Sequence, residues 1–352
     1  MKFGGIDEKE IIERIRELKE KLGDELVILG HHYQRRGIVE LSHFRGDSFQ
    51  LSRQAASQRK AKYIVFCGVR FMAESAAILA APHQIVQHPE PTAGCPMSDM
   101  ADPWDVEEAW RQITEICGDD VIPITYVNSS AEVKAFCGRH GGATCTSSNA
   151  QKLIEWGFSQ KSRVFFLPDR HLGTNAANKL GIPRDKRVIW DFTQPELGGN
   201  TEEQIYNSKL ILWNGYCHVH TFFKPEHVYE ARRRFPGCTV VVHPECFEEV
   251  VDLADHDGST AFMVRFVEEA PKGSTIVIGT EINLVSRLAY EHPDKKVVEL
   301  ARSLCPNMYK ITLLSLLRTL ENIGELNVVE LPDEVKHYAK IALDKMLEVA
   351  SK

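Results

Sequence analysis

No stretch of this sequence is apolar for long enough to cross a bilayer. The longest runs, such as Ala76 to Ala81, fall far short of the roughly 20 residues a membrane helix needs. The start, Met1-Lys2-Phe3-Gly4-Gly5, runs directly into a segment rich in Glu, Lys and Arg, with no apolar leader core, so a cytoplasmic location is expected. Basic residues are in the minority, 42 against 49 acidic, which leaves no global field for nucleic acid or an anionic membrane. Any anionic ligand must be held locally. The dinucleotide fingerprint GxGxxG and the phosphate loop GxxxxGK[ST] are both missing, and neither CxxC nor HExxH occurs. The cysteines are an odd nine, scattered from Cys67 to Cys305, which argues against a disulfide framework and leaves metal ligation open.

With 352 residues, 43% of them apolar and 26% charged, the chain is an ordinary globular sequence too long for one core, and two or three domains are expected. Glu8 to Leu22 carries Ile11, Ile12, Ile15 and Leu18 at helical spacing. Short β-rich runs follow at Leu26 to Leu29, Tyr63 to Phe66, Val121 to Tyr126, Val164 to Leu167, Leu210 to Trp213, Thr239 to Val242 and Thr275 to Ile278, separated by helical stretches. This alternation predicts an α/β protein with parallel sheets.

Three of these strands end in a polar pair at i and i+2: His31/Tyr33, Tyr126/Asn128 and His243/Glu245. In an extended chain such residues share a face, so each pair projects from a strand's carboxyl end, where open α/β sheets bind ligands. Each pair is followed by a hydroxyl-bearing helix start: Gly46-Asp47-Ser48, Thr146-Ser147-Ser148 and Gly258-Ser259-Thr260. A cysteine in a turn-like setting then completes each unit: Cys95, Cys217 and Cys305. The spacing from His31 through Ser48 to Cys95 nearly equals that from His243 through Ser259 to Cys305, and the middle unit is longer. Three such units packed about a pseudo-threefold axis would bring one cysteine from each to a central cavity.

Three convergent thiolates suit a [4Fe–4S] cluster with one iron left open as a Lewis acid; zinc is the competing metal. Cys67, Cys117, Cys137, Cys145, Cys238 and Cys246 read as small packing residues, although Cys238 and Cys246 flank a strand and could pair under oxidation. His31, His220 and His243 are candidates for acid, base or oxyanion donor, and Glu245 for general base. His83, His88, His140, His292 and His337 read as ordinary surface or core residues. Ser48, Ser147, Ser259 and Thr260 are either helix caps or, being in register, anion holders.

These residues sit in segments that resemble the quinolinate synthase family: Gly30-His31-His32-Tyr33-Gln34, Gly68-Val69-Arg70-Phe71, Tyr126-Val127-Asn128-Ser129, Cys145-Thr146-Ser147-Ser148, Pro168-Asp169, Gly215-Tyr216-Cys217-His218-Val219-His220, Val242-His243-Pro244-Glu245, Gly279-Thr280-Glu281 and Cys305-Pro306-Asn307-Met308. The resemblance implies three related α/β/α domains around a central active site, here 1–98 joined by 306–352, then 99–217 and 218–305. It implies a [4Fe–4S] cluster on Cys95, Cys217 and Cys305. The reaction it implies condenses iminoaspartate with dihydroxyacetone phosphate to quinolinate, phosphate and water, with an aspartate oxidase or dehydrogenase supplying the unstable imine. The family's substrate contacts would fall on His31, Tyr33, Ser48, Tyr126, Asn128, Ser147, His220, His243, Glu245, Ser259, Thr260 and Met308. Glu245 and Tyr33 are expected to move protons, with His243 orienting or polarising. Within the family's pattern, Cys137 to Thr144 reads as a lengthened loop, and Asp333 to Lys352 as a charged amphipathic helix returning to the first domain. A zinc-dependent aldolase or hydrolase and a noncatalytic binder of phosphorylated metabolites are the rival readings.

Overall fold

Buried apolar strands organise the chain in its computed structural model, which describes residues 2–3 and 6–351; Met1, Gly4, Gly5 and Lys352 lie outside that description. The runs Leu26–His31 and Val121–Tyr126 are buried at every position, as expected of parallel strands covered on both faces by helices. They are the founding strands of the first two of three parallel sheets. The first sheet is ordered Phe44–Gly46, Leu26–His31, Tyr63–Cys67, Ile85–Gln87. The second is Arg187–Trp190, Leu210–Trp213, Arg163–Leu167, Val121–Tyr126, Ala143–Cys145, and the third is His256–Asp257, Thr239–Val242, Thr275–Gly279, Lys296–Glu299. All neighbours within these three sheets run parallel.

The first and third units repeat element for element at one constant offset in residue number. Arg36–Leu41 corresponds to Glu248–Leu253, Ser48–Ser57 to Thr260–Glu269, Tyr63–Cys67 to Thr275–Gly279, and Arg70–Leu79 to Ile282–Glu291. The repeat extends to single hydrogen bonds. The Ile28 amide donates to His43 Nδ1 at 2.8 Å, and at the same offset the Val240 amide donates to Asp255 Oδ2 at 2.7 Å. In the middle unit an inserted strand, Arg187–Trp190, lies outside the final strand Leu210–Trp213, and an inserted helix, Glu202–Asn207, packs on Pro103–Cys117. That insertion accounts for the longer spacing between Ser147 and Cys217.

Two details depart from expectation. Cys137 to Thr144 is no loop: the helix Ala131–Arg139 runs through Cys137 and Gly138, and the strand Ala143–Cys145 begins after a three-residue turn. Gly138 and Gly142 reflect crowding, because a Cβ on Gly138 would lie 1.9 Å from the Tyr338 carbonyl of the last helix and one on Gly142 1.9 Å from the Pro123 carbonyl, whereas Gly141 serves the turn at φ +71°. That last helix, Asp333–Ser351, lies chiefly on Ala131–Arg139 of the second unit and buries Ala339, Ala342, Leu343 and Met346. The segment before it does join the first unit, where Leu313–Glu321 packs on Glu8–Leu22 and Val328 bridges Gln87.

No helix among the described residues is long and apolar enough to cross a membrane.

Candidate active site

The carboxyl ends of the three founding strands converge on one narrow cavity of about 60 Å³. Its wall includes His31, Tyr33 and Ser48 from the first unit, Tyr126, Asn128 and Ser147 from the second, and His220, His243, Glu245 and Thr260 from the third, together with Met308 and the cysteines Cys95, Cys217 and Cys305. Of the residues singled out from sequence, Ser259 alone lies elsewhere, lining a neighbouring cavity. The helix register explains this. Thr260, not Ser259, matches Ser48 as the first residue of its helix, and Ser259 matches Asp47, the residue that caps it.

The strand-end pairs have a common local geometry. His31 Nδ1 accepts the Tyr33 amide at 3.2 Å, and His243 Nδ1 accepts the Glu245 amide at 3.3 Å. Burial, reinforced by Arg287 near His31 and by His220 near His243, pushes both imidazoles down to about 3. Each is therefore neutral, and with Nδ1 occupied as an acceptor its proton sits on Nε2. The pair supplies two uncharged hydrogen-bond donors rather than bases.

Glu245 is the hub. Its Oε1 accepts the Tyr126 hydroxyl at 2.7 Å, and its Oε2 faces His220 Nδ1 at 3.3 Å. Burial works against its charge, but the imidazoles of His220 and His243 and the hydrogen bonds from His220 and Tyr126 outweigh it and bring the carboxyl down to about 2. On its far side His220 Nε2 lies 3.3 Å from Tyr33 Oη and 3.2 Å from Thr280 Oγ1, which are themselves 2.6 Å apart. The His220 ring stacks on His243 at 4.2 Å. Burial holds the Tyr33 and Tyr126 phenols well above their usual range, so both remain O–H donors. A carboxylate, an imidazole and a hydroxyl thus stand in line, the arrangement by which a proton is passed and its carrier kept oriented.

All nine cysteines are free. Cys67, Cys137, Cys145, Cys238 and Cys246 are buried among apolar side chains, and Cys117 packs at the edge of the second unit's core. Cys95 and Cys305 each cap a short helix that opens with proline. The amides of Ser98 and Met97 point to the Cys95 sulfur, and those of Met308 and Asn307 to the Cys305 sulfur. Cys217 opens the turn that sets His220, whose amide returns to the Cys217 carbonyl at 3.1 Å. Burial pushes the Cys95 thiol up to about 12 and the Cys217 and Cys305 thiols above their usual range; Cys95 feels Cys305, and Cys217 feels Glu245, Cys95 and Cys305. Three clustered sulfurs that repel one another's charge and receive backbone N–H groups fit a polynuclear metal centre, whose positive charge would make thiolates of them. A second donor set overlaps this one: ligand atoms of Cys217, His220 and Glu245 lie within 4.8 Å of one another.

Two residues beside the site lie in the family-like segments but had no role assigned from sequence. Thr280, which ties Tyr33 to His220, and Asp169, which caps Arg170–Lys179 through the His171 and Leu172 amides at 2.8 Å each, follow the third strand of their units. Their place in the repeat was the available signal. Asn128 Oδ1 lies buried on the cavity wall without a hydrogen-bond partner among the described residues.

The family profile described as quinolinate synthetase A protein matches residues 13–348. Quinolinate synthases of Bacillus cereus (strain AH187) and Bacillus anthracis are each 48% identical over 342 residues, 95% of this chain and 92% of the relative. That of a second Bacillus cereus strain is 49% identical over the same span. With this similarity running through nearly the whole chain, the protein belongs to the quinolinate synthase family.

Proposed function

We propose that the chain condenses iminoaspartate with dihydroxyacetone phosphate to quinolinate, releasing phosphate and water, in a cavity that holds a [4Fe–4S] cluster on Cys95, Cys217 and Cys305. The observation that carries this reading is the meeting of one half-buried thiol from each repeated unit beside the Tyr126–Glu245–His220–Tyr33 chain. Bound there, the cluster supplies a Lewis acid for polarising a substrate oxygen.

The chain's own residues carry the remaining work. Ser48, Ser147 and Thr260 offer hydroxyls, and His31 and His243 offer neutral Nε2–H groups, to the carboxylates and phosphate of substrates that a net negative protein must hold by local donors. His243 orients and polarises a bound carboxylate or carbonyl. Glu245 and Tyr33 move protons during isomerisation and dehydration, linked through His220, while Tyr126 and Asn128 fix the substrate and Met308 packs beside it, its Sδ accepting from Gln34 Nε2 at 3.1 Å. Ser259 acts from the outer side of its helix start. The three domains are assigned to 1–98 with 306–352, 99–217 and 218–305, the last helix of the first, Asp333–Ser351, reaching across onto the second. A cytoplasmic setting would keep the thiols reduced, and an enzyme that oxidises aspartate would supply the imine.

The Cys217, His220 and Glu245 donor set also supports a second reading, a single zinc ion serving an aldolase or hydrolase. Anaerobic purification with iron, sulfide and zinc analysis, followed by a quinolinate assay on the wild type and Cys217→Ala, separates the two. Iron and sulfide with turnover, both lost in the variant, support the cluster enzyme. Stoichiometric zinc without sulfide sinks it, and metal-independent binding of phosphorylated metabolites without turnover leaves only a binder.

A further inference from the structure

The catalytic groups are almost wholly enclosed, with Glu245, His220 and His243 each 2% exposed, so a substrate must reach them through a neighbouring space. Among the described cavities, one shares a wall residue with the central one. It has a volume of about 250 Å³ between the second and third units, and Ser147 belongs to both walls. The helix start at Ser259 and Thr260 divides the two, Ser259 lining the outer cavity and Thr260 the inner.

The outer cavity carries two cations, Lys179 and Arg265, against one carboxylate, Asp257. Lys179 is already bound to Asp257 at 2.6 Å. Arg265 is exposed, and among the described residues it has no ion pair or hydrogen bond. Its field reaches Asp47 on the inner wall. An unpaired guanidinium therefore lines the cavity that shares the Ser147 wall with the active site, on a protein whose net charge of −7 would otherwise repel anions. The fixed fork of a guanidinium matches a phosphate dianion better than a point charge does.

We propose that this outer cavity is the port through which the phosphorylated substrate arrives and inorganic phosphate leaves, with Arg265 as its anion-capturing residue. The proposal rests on the reaction assigned above, because it is the phosphate monoester that the port selects. Arg265 binds and steers, and takes no part in the chemistry.

The test compares the anaerobically purified holoenzyme with Arg265→Gln, Arg265→Lys and, as a control, Arg302→Gln on the same unit, whose guanidinium pairs with Glu299. In Arg265→Gln, kcat/KM for dihydroxyacetone phosphate is expected to fall about tenfold, in the range of electrostatic steering, with kcat unchanged. Its salt dependence should flatten, Arg265→Lys should recover part of the loss, and Arg302→Gln should match the wild type. Inorganic phosphate binding, measured by calorimetry, should weaken in Arg265→Gln by a similar factor, a readout that needs no turnover. Unchanged KM and unchanged phosphate affinity in Arg265→Gln overturn the port, as does a fall in kcat alone. A wild type that binds phosphate through Arg265 but makes no quinolinate overturns the reaction and keeps the port.

Discussion

Asn175, on a helix of the second unit, brackets Glu245 of the third: its Nδ2 donates to the Pro244 carbonyl at 2.8 Å and to the Cys246 carbonyl at 2.9 Å, one on either side of Glu245. Asn175 is 2% exposed, so no solvent can replace those bonds. It is a positioning residue, because it fixes the backbone from which Glu245 reaches both Tyr126 and His220. Asn175→Ala should lower kcat about 100-fold, the scale associated with ångström-level misplacement of a catalytic group, while KM changes little. Steady-state kinetics alongside cluster absorbance checks this. Full kcat with an intact cluster would remove Asn175 from the machinery.

Tyr126→Phe deletes the hydroxyl that Glu245 Oε1 accepts at 2.7 Å. With that support gone, burial weighs more heavily and the carboxyl pKa must rise from its depressed position near 2. The acid limb of the kcat/KM profile should therefore move to higher pH, and activity at neutral pH should fall about 10- to 100-fold, typical of a weakened acid–base group. An unmoved acid limb would show that the hydroxyl does not govern the Glu245 charge.

Acid stability should be set partly by histidines held neutral. His43, which accepts the Ile28 amide, is pushed down to about 4 by burial and by Lys19, from an ordinary 6.5. A depressed folded value means the unfolded chain takes up the proton first. The stabilisation is complete above pH 6.5 and is lost as pH falls toward 4. Denaturation midpoints measured across that window should decline, and His43→Asn, which keeps an acceptor but no titration, should flatten the decline. An equal slope in the variant would assign the acid sensitivity elsewhere.

Replacing Cys95, Cys217 or Cys305 by alanine should abolish bound iron and sulfide together with quinolinate formation. Cys246→Ala, in the core of the third unit, should retain both and cost about 1 kcal/mol of stability. Iron and sulfide analysis on the four variants decides the matter: a cluster that survives loss of any of the three cysteines contradicts the ligand set.

The glycine at 138 offers a purely structural test. A Cβ there meets the Tyr338 carbonyl at 1.9 Å, so Gly138→Ala must push the last helix away from Ala131–Arg139. A loss of about 1–3 kcal/mol, the usual range for overpacking, is expected in chemical denaturation. A variant as stable as the wild type would mean that the helix does not dock as described.

How much of this was legible follows from how far each signal reaches along the chain. Seven β-runs, the helix Glu8–Leu22 and the three strand-end pairs could be read because periodicity and the i, i+2 rule act over a few residues. Edge strands such as Phe44–Gly46 and His256–Asp257 are too short to leave a pattern. Gly138 looked like loop punctuation because the helix that crowds it lies some two hundred residues downstream.

The sequence by itself determined an α/β chain built of repeated units, each ending in a thiol, since repetition and local hydrophobic order are properties of the chain alone. Tertiary structure decided which groups meet. Glu245 touches Tyr126, Asn175 clamps the loop around it, Thr280 joins Tyr33 to His220, and Ser259 turns away to a second cavity. Those outcomes depend on how three units dock, and docking is governed by packing and close polar contact between distant segments, which no local pattern encodes.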